Sequence, residues 1–221
     1  MIPLGDVSRR PLRFPIVTLT LILINGLVFF LELGNGDAFV TAWALVPADF
    51  VAGRHWITML TSMFLHGSWS HILGNMLFLW VFGPEIEDAM NRGRYLVFYL
   101  AGGIVANLAQ IALAPASTVP TLGASGAIAA VMGAFLITYP RDRIRTVLLL
   151  GFFVTITFVP AFLLIGLWFL LQLISVGAVT AAAGTQSGGV AYAAHVGGVL
   201  FGAITARLFE DSARVAAGYT E

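Results

Sequence analysis

The chain has no cysteine and no lysine, and only 10% of its residues carry a charge. Without cysteine there is neither a disulfide framework nor a thiolate metal site, and the redox compartment stays open. Without lysine the glycine-rich segments cannot be phosphate loops, and they sit in apolar surroundings. No basic patch offers a footing for nucleic acid, so no such partner is expected. What is present is apolar: 59% hydrophobic residues and a mean hydropathy of +0.93. A water-soluble fold of that composition could not cover its core with polar surface. At 221 residues, the chain has room for about six bilayer spans plus loops and no separate soluble domain.

Met1 to Arg13 is polar and carries Arg9, Arg10 and Arg13. Phe14 to Leu33 is then an apolar run of membrane length. A secretory signal peptide begins in the same way, but its apolar region is only ~7–15 residues long. No clear Ala-x-Ala site follows Leu33 either, so a retained helix is expected. Further apolar stretches give an all-α, polytopic fold of one domain. Its six transmembrane helices are expected near 14–33, 68–86, 95–114, 122–139, 159–179 and 190–209. Between the first two, residues 32–65 are broken by Gly34, Gly36, Pro47 and Gly53 yet hold Phe39, Trp43, Phe50, Trp56 and Phe64. That mixture suits short amphipathic helices in the membrane interface, a membrane-embedded first loop rather than a solvated one. Thr146 to Phe158 reads as a connecting segment rich in β-branched and aromatic residues. Two short spans on either side of Pro160 are the alternative, and they would reverse the side on which the sixth helix starts. With six spans, one side of the membrane holds ten of the eleven arginines, all but Arg54. The positive-inside rule then makes both termini cytoplasmic. The expected protein is an integral, multi-pass component of a prokaryotic plasma membrane.

Polar groups in hydrocarbon are costly, so each invites a functional reading beside that of glue between helices. Ser125 stands near the start of the fourth helix between Gly123 and Gly126. His195 stands near the start of the sixth, followed by Gly197, Gly198 and Gly202. Glycine-lined surfaces let two helices approach closely, and the two residues lie at matching depth. A serine hydroxyl becomes a nucleophile when a neutral imidazole within hydrogen-bond reach takes its proton. With no carboxylate nearby the pair would be a dyad, its ring held by packing. His71 and Asn75, at i and i+4, share a helical face and could donate to a developing oxyanion. The same spacing serves equally a pair of buried groups bonding neighbouring helices. Asn107, Gln110 and Gln172 read most simply as interhelical hydrogen-bonding groups. A metal site is disfavoured, since there is no His-Glu-x-x-His, no cysteine and no carboxylate in mid-helix.

Three stretches together resemble the rhomboid intramembrane serine proteases, in their bacterial-type six-helix form. They are Thr61-Ser-Met-Phe-Leu-His-Gly-Ser-Trp-Ser-His-Ile-Leu-Gly-Asn75, Gly123-Ala-Ser-Gly126 and Ala194-His-Val-Gly-Gly198. Smaller matches are Glu87, placed in the second loop, and the Pro160-Ala161…Trp168…Gln172 pattern. The resemblance implies a catalytic Ser125–His195 dyad, with His71 and Asn75 in the oxyanion hole and Gly123, Gly126, Gly198 and Gly202 in support. It implies peptide-bond hydrolysis in or near transmembrane segments of membrane proteins, through an acyl-enzyme and with no cofactor or metal. The fifth helix and the loop leading into the sixth would form the gate. The alternative is a catalytically inactive rhomboid-like binder of transmembrane segments. Two positions depart from the family pattern. An aromatic residue often stands where Ala129 is, leaving a gap expected beside His195, and a Trp-Arg pair is replaced by Trp56-Ile57-Thr58.

Overall fold

The structure, a computed structural model, describes residues 1–9, 11–151, 153–181 and 191–217. A short strand, β1 (Ile2–Asp6), precedes α1 (Ile16–Asn35). The first turn of α1 has no cap from its own sequence. The carboxylate of Glu87 accepts instead from the N–H groups of Val17 and Thr18, at 3.0 and 2.8 Å, and from the Thr18 hydroxyl at 2.8 Å. An anion at the positive end of a helix satisfies two of its orphan donors.

The first loop is a chain of short helices, α2 (Asp37–Trp43), α3 (Pro47–Val51) and α4 (Thr58–Thr61), closed by a 3₁₀ turn at Ser62–Phe64. It is fastened at several points. Asn107 donates to the Met59 carbonyl and to Ser62 Oγ at 2.9 and 3.2 Å. The Thr61 hydroxyl donates to the Trp43 carbonyl at 2.8 Å. Glu32, buried at the end of α1, accepts from the His66 N–H. These contacts hold the loop while Trp56 and Ile57 stay exposed.

Two long helices follow, α5 (Trp69–Met90) and α6 (Arg92–Leu113). Asn91 alone joins them, with φ of +63° and its side chain capping Arg94 N–H. Glu87 therefore lies inside α5 and not in a loop, because α5 runs on past Pro84 until Asn91 breaks it. Next comes α7 (Ser125–Thr138), buried almost all round. The last helices are α8 (Ala161–Ala181), α9 (Tyr192–Phe209) and α10 (Ser212–Ala217). Among the described residues four helices are long and apolar enough to cross a bilayer: α1, α6, α9 and residues 161–178 of α8. Of the expected loop from Thr180 to Gly189, residues 182–189 lie outside the described residues, as does Val190.

The fold is mostly helical, but it is not all-α. Between α7 and α8 the chain forms a hairpin of β2 (Arg143–Leu150) and β3 (Phe153–Pro160), and β1 joins it in an antiparallel sheet of order β1-β2-β3. The expected connecting segment is thus a paired structure. At its base, Asp142, Ile144 and Thr146 are buried while Arg141, Arg143 and Arg145 are exposed, a period of two that only a strand satisfies. Arg9 pairs with buried Asp142 and lies 3.6 Å over the ring of Tyr139, fastening the segment after β1 to the same place.

The core is centred on α7, which packs most extensively against α9. A methyl group on Gly198 would strike the Gly126 carbonyl and come within 3.0 Å of Ala129 Cβ. One on Gly202 would strike the Ala130 carbonyl, and one on Gly133 the Val199 carbonyl. Bare backbone on both helices allows this approach, and it fixes the height of Ser125 relative to His195.

Candidate active site

Ser125 is the first residue of α7, and His195 lies in the first turn of α9. Ser125 Oγ is 2.8 Å from Nε2 of His195. The other ring nitrogen, Nδ1, is 2.8 Å from Oε1 of Gln172. An amide oxygen can only accept, so Nδ1 carries the proton and Nε2 of the neutral ring is free to accept from the serine hydroxyl. Trp168, one helical turn before Gln172 on α8, covers the imidazole with ring centroids 5.4 Å apart and a tilt of 37°. His195 is thereby held by a hydrogen bond and an aromatic face, both from α8.

This arrangement corrects the expectation of a gap at Ala129. That residue is fully buried, and its methyl group meets the backbone of α9 at Gly198. The aromatic surface comes from Trp168 instead. Gln172 makes the interhelical hydrogen bond expected of it, and its partner is His195. The i, i+4 relation of Gln172 to Trp168 puts both on one face of α8, the one sequence signal that could have joined them to the site.

His71 and Asn75 stand on α5 beside Gly123. A methyl group there would lie 2.8 Å from Nε2 of His71 and 3.6 Å from Nδ2 of Asn75, and Gly123 has φ of +124°. The ring and the carboxamide thus occupy the space that any other residue would fill, two positions before Ser125. His66 is part of this group. Its Nε2 is 2.9 Å from Asn75 Nδ2, and its ring centroid is 5.1 Å from that of His71. One N–H of the Asn75 amide is directed at His66, which leaves the second for another acceptor. The first N–H groups of α7 have no partner within that helix, and Ser125 at its start borders the same cavity as His71 and Asn75.

Ser125, His195, His71, Asn75, Gln110 and Trp168 all border one cavity of about 1140 Å³. Among the described residues that line it there is no Asp, Glu, Lys or Arg. Residues 119–122 also line it, tied to the first loop by paired backbone hydrogen bonds between Leu45 and Thr121 of 3.0 and 2.7 Å.

A family profile described as the rhomboid domain matches residues 53–211, which include Ser125, His195, His66, His71, Asn75, Trp168 and Gln172. The chain belongs to the rhomboid family. Rhomboid protease GluP of Bacillus subtilis (strain 168) is 34% identical over 133 residues, covering 58% of this chain and 26% of that protein. Rhomboid protein 1, mitochondrial, of Saccharomyces cerevisiae is 32% identical over 186 residues, covering 82% of this chain and 49% of that protein. The human presenilin-associated rhomboid-like protein, mitochondrial, is 31% identical over 146 residues, covering 65% and 35%. This rhomboid-family chain spans less than half the length of each of these relatives.

Proposed function

We propose that this protein is an intramembrane serine endopeptidase that hydrolyses peptide bonds in or near the transmembrane segments of other membrane proteins. The observation that carries the reading is the hydrogen-bonded series Ser125–His195–Gln172 at the edge of a cavity with no charged side chain among its described lining residues. Ser125 Oγ attacks the scissile carbonyl while Nε2 of His195 takes its proton. Charge gathers on the carbonyl oxygen, facing His71, Asn75 and the N–H groups that begin α7. The imidazolium then protonates the leaving amine, and water repeats the cycle to release the acyl group from Ser125. Neither a cofactor nor a metal is needed. Gly123, Gly126, Gly198 and Gly202 support the chemistry by letting backbone and side chains approach.

In the same reading α1 and α5 to α9 are six spans, both termini are cytoplasmic and the membrane is a prokaryotic plasma membrane. The 14 residues of α7 are about 21 Å long at 1.5 Å per residue, short of the ~30 Å of a hydrocarbon core. Its start therefore lies below the bilayer surface, and the cavity is the route by which water reaches Ser125. The test is labelling of the detergent-solubilised protein by a fluorophosphonate probe, together with cleavage of a model transmembrane substrate. Wild type should label and cleave, and Ser125→Ala should do neither. A folded wild type that binds the substrate but takes no label would leave the inactive binder as the better description.

A further inference from the structure

The β2–β3 hairpin takes no part in the chemistry and exposes a surface that water does not suit. Residues directly opposite in an antiparallel pair point to the same side of the sheet. Arg143 faces Pro160, Arg145 faces Phe158, Val147 faces Ile156 and Leu149 faces Val154. The side so formed carries two exposed arginines near its base. Exposed Phe158, Ile156, Val154 and Leu149 continue it toward the tip, at 53, 59, 68 and 55% exposure. At the tip the other side is open as well, with Phe153 at 78% exposure. β3 is an edge strand without a single charge, which in water is an invitation to aggregate.

The position of the hairpin says what covers it. It lies at the end of the bundle where α1 begins and α7 ends, the end that carries every described arginine except Arg54. β3 leads without a break into α8, whose Leu163, Leu167 and Leu170 are also exposed. The apolar surface of the hairpin is thus continuous with that of a helix apolar enough to span a bilayer. Among the described residues Arg141, Arg143 and Arg145 make no ion pair, and the sole acid in their stretch, Asp142, is buried against Arg9. A second copy docked on this side would set arginine against arginine or against apolar residues. A leaflet of anionic phospholipid offers phosphates to the arginines and acyl chains to the tip.

We propose that the β2–β3 side bearing Arg143, Arg145, Val154, Ile156 and Phe158 is a docking surface for the anionic phospholipid leaflet at the arginine-bearing end of the bundle. The inference is independent of peptidase activity. Because the chain has no cysteine, Val154→Cys and, separately, Ile156→Cys each give one unique site for an environment-sensitive fluorophore. The full-length protein would be reconstituted in phosphatidylcholine vesicles with and without phosphatidylglycerol. Emission should be lost to brominated lipid, resist aqueous iodide, and be lost further when phosphatidylglycerol is present. Arg143→Gln with Arg145→Gln should remove that further loss. Quenching by iodide and not by brominated lipid, at both sites, overturns the proposal. Protection that instead rises with the protein-to-lipid ratio marks a second copy and also overturns it. A signal indifferent to phosphatidylglycerol overturns the anionic specificity.

Discussion

Among single residues, Gln172 has the most informative role, because a neutral amide stands where a triad has a carboxylate. It fixes the tautomer of His195 and, in the proposed mechanism, would stabilise the imidazolium less than a carboxylate does. A neutral hydrogen bond is worth about 1 kcal/mol, so Gln172→Leu should lower turnover of a model substrate by roughly fivefold. KM should stay near the wild-type value. Gln172→Glu keeps an acceptor on Nδ1 and should restore most of the rate. If the leucine variant keeps the wild-type rate, Trp168 and packing alone orient the ring. Ser125 and His195 were legible in the sequence because each lies in a run of glycines where only close helix contact makes sense. Gln172 was not, since an amide in an apolar helix finds some partner in almost any fold. The place of His66, inside the Thr61–Asn75 stretch, was hidden for a related reason. Its role depends on a ring-to-amide contact across a turn, which spacing does not reveal.

Between elements, the decisive contact is the one between α7 and α9, where carbonyl groups of α7 occupy the space that side chains on α9 would need. Gly202→Ala drives a methyl group into the Ala130 carbonyl, and backbone cannot swing aside as a side chain can. Such overpacking costs typically 1–3 kcal/mol. Gly202 is two turns from His195 on the same face, so helix separation there should also lengthen the Ser125–His195 bond. The variant should melt at a lower temperature and lose activity together. Gly166→Ala on α8 meets nothing within 4 Å and should be neutral or slightly stabilising, by up to about 1 kcal/mol of helix propensity. Equal melting temperatures for Gly202→Ala and wild type would mean the helices are not tightly apposed. The helices themselves were readable from apolar runs of the right length. The hairpin was hidden because a strand apolar on both sides has the composition of a membrane span. Only the Arg-Asp-Arg-Ile-Arg-Thr alternation at its base carried the period of a strand.

For the whole molecule, every described arginine but Arg54 sits at one end, and there the sheet ties the two halves of the chain together. Burial, reinforced by the neighbouring Asp142 carboxylate, raises the Asp6 carboxyl to about 7 from its ordinary 3.8. The folded chain then holds this proton more tightly than the unfolded one, so stability falls as pH climbs between those values. Thermal unfolding in detergent at pH 5 and pH 8 should show that loss in the wild type. Asp6→Asn should flatten it, and an unchanged slope would remove Asp6 from the account. The arginine asymmetry gives a second expectation at this scale. Reporters fused to the two ends, each active on one side of the membrane only, should both report the cytoplasmic side. Opposite answers would mean an odd number of spans. The sheet also bears on how the protein is made. Ile2 pairs with Val147, so β1 leaves the ribosome long before its partner exists. At ~5–20 residues per second that interval is on the order of ten seconds, during which the helices between them can enter the bilayer. The strand synthesised first is among the last to find its place, and its docking, sealed by Arg9 on Asp142 and Tyr139, marks the closing of the chain upon itself.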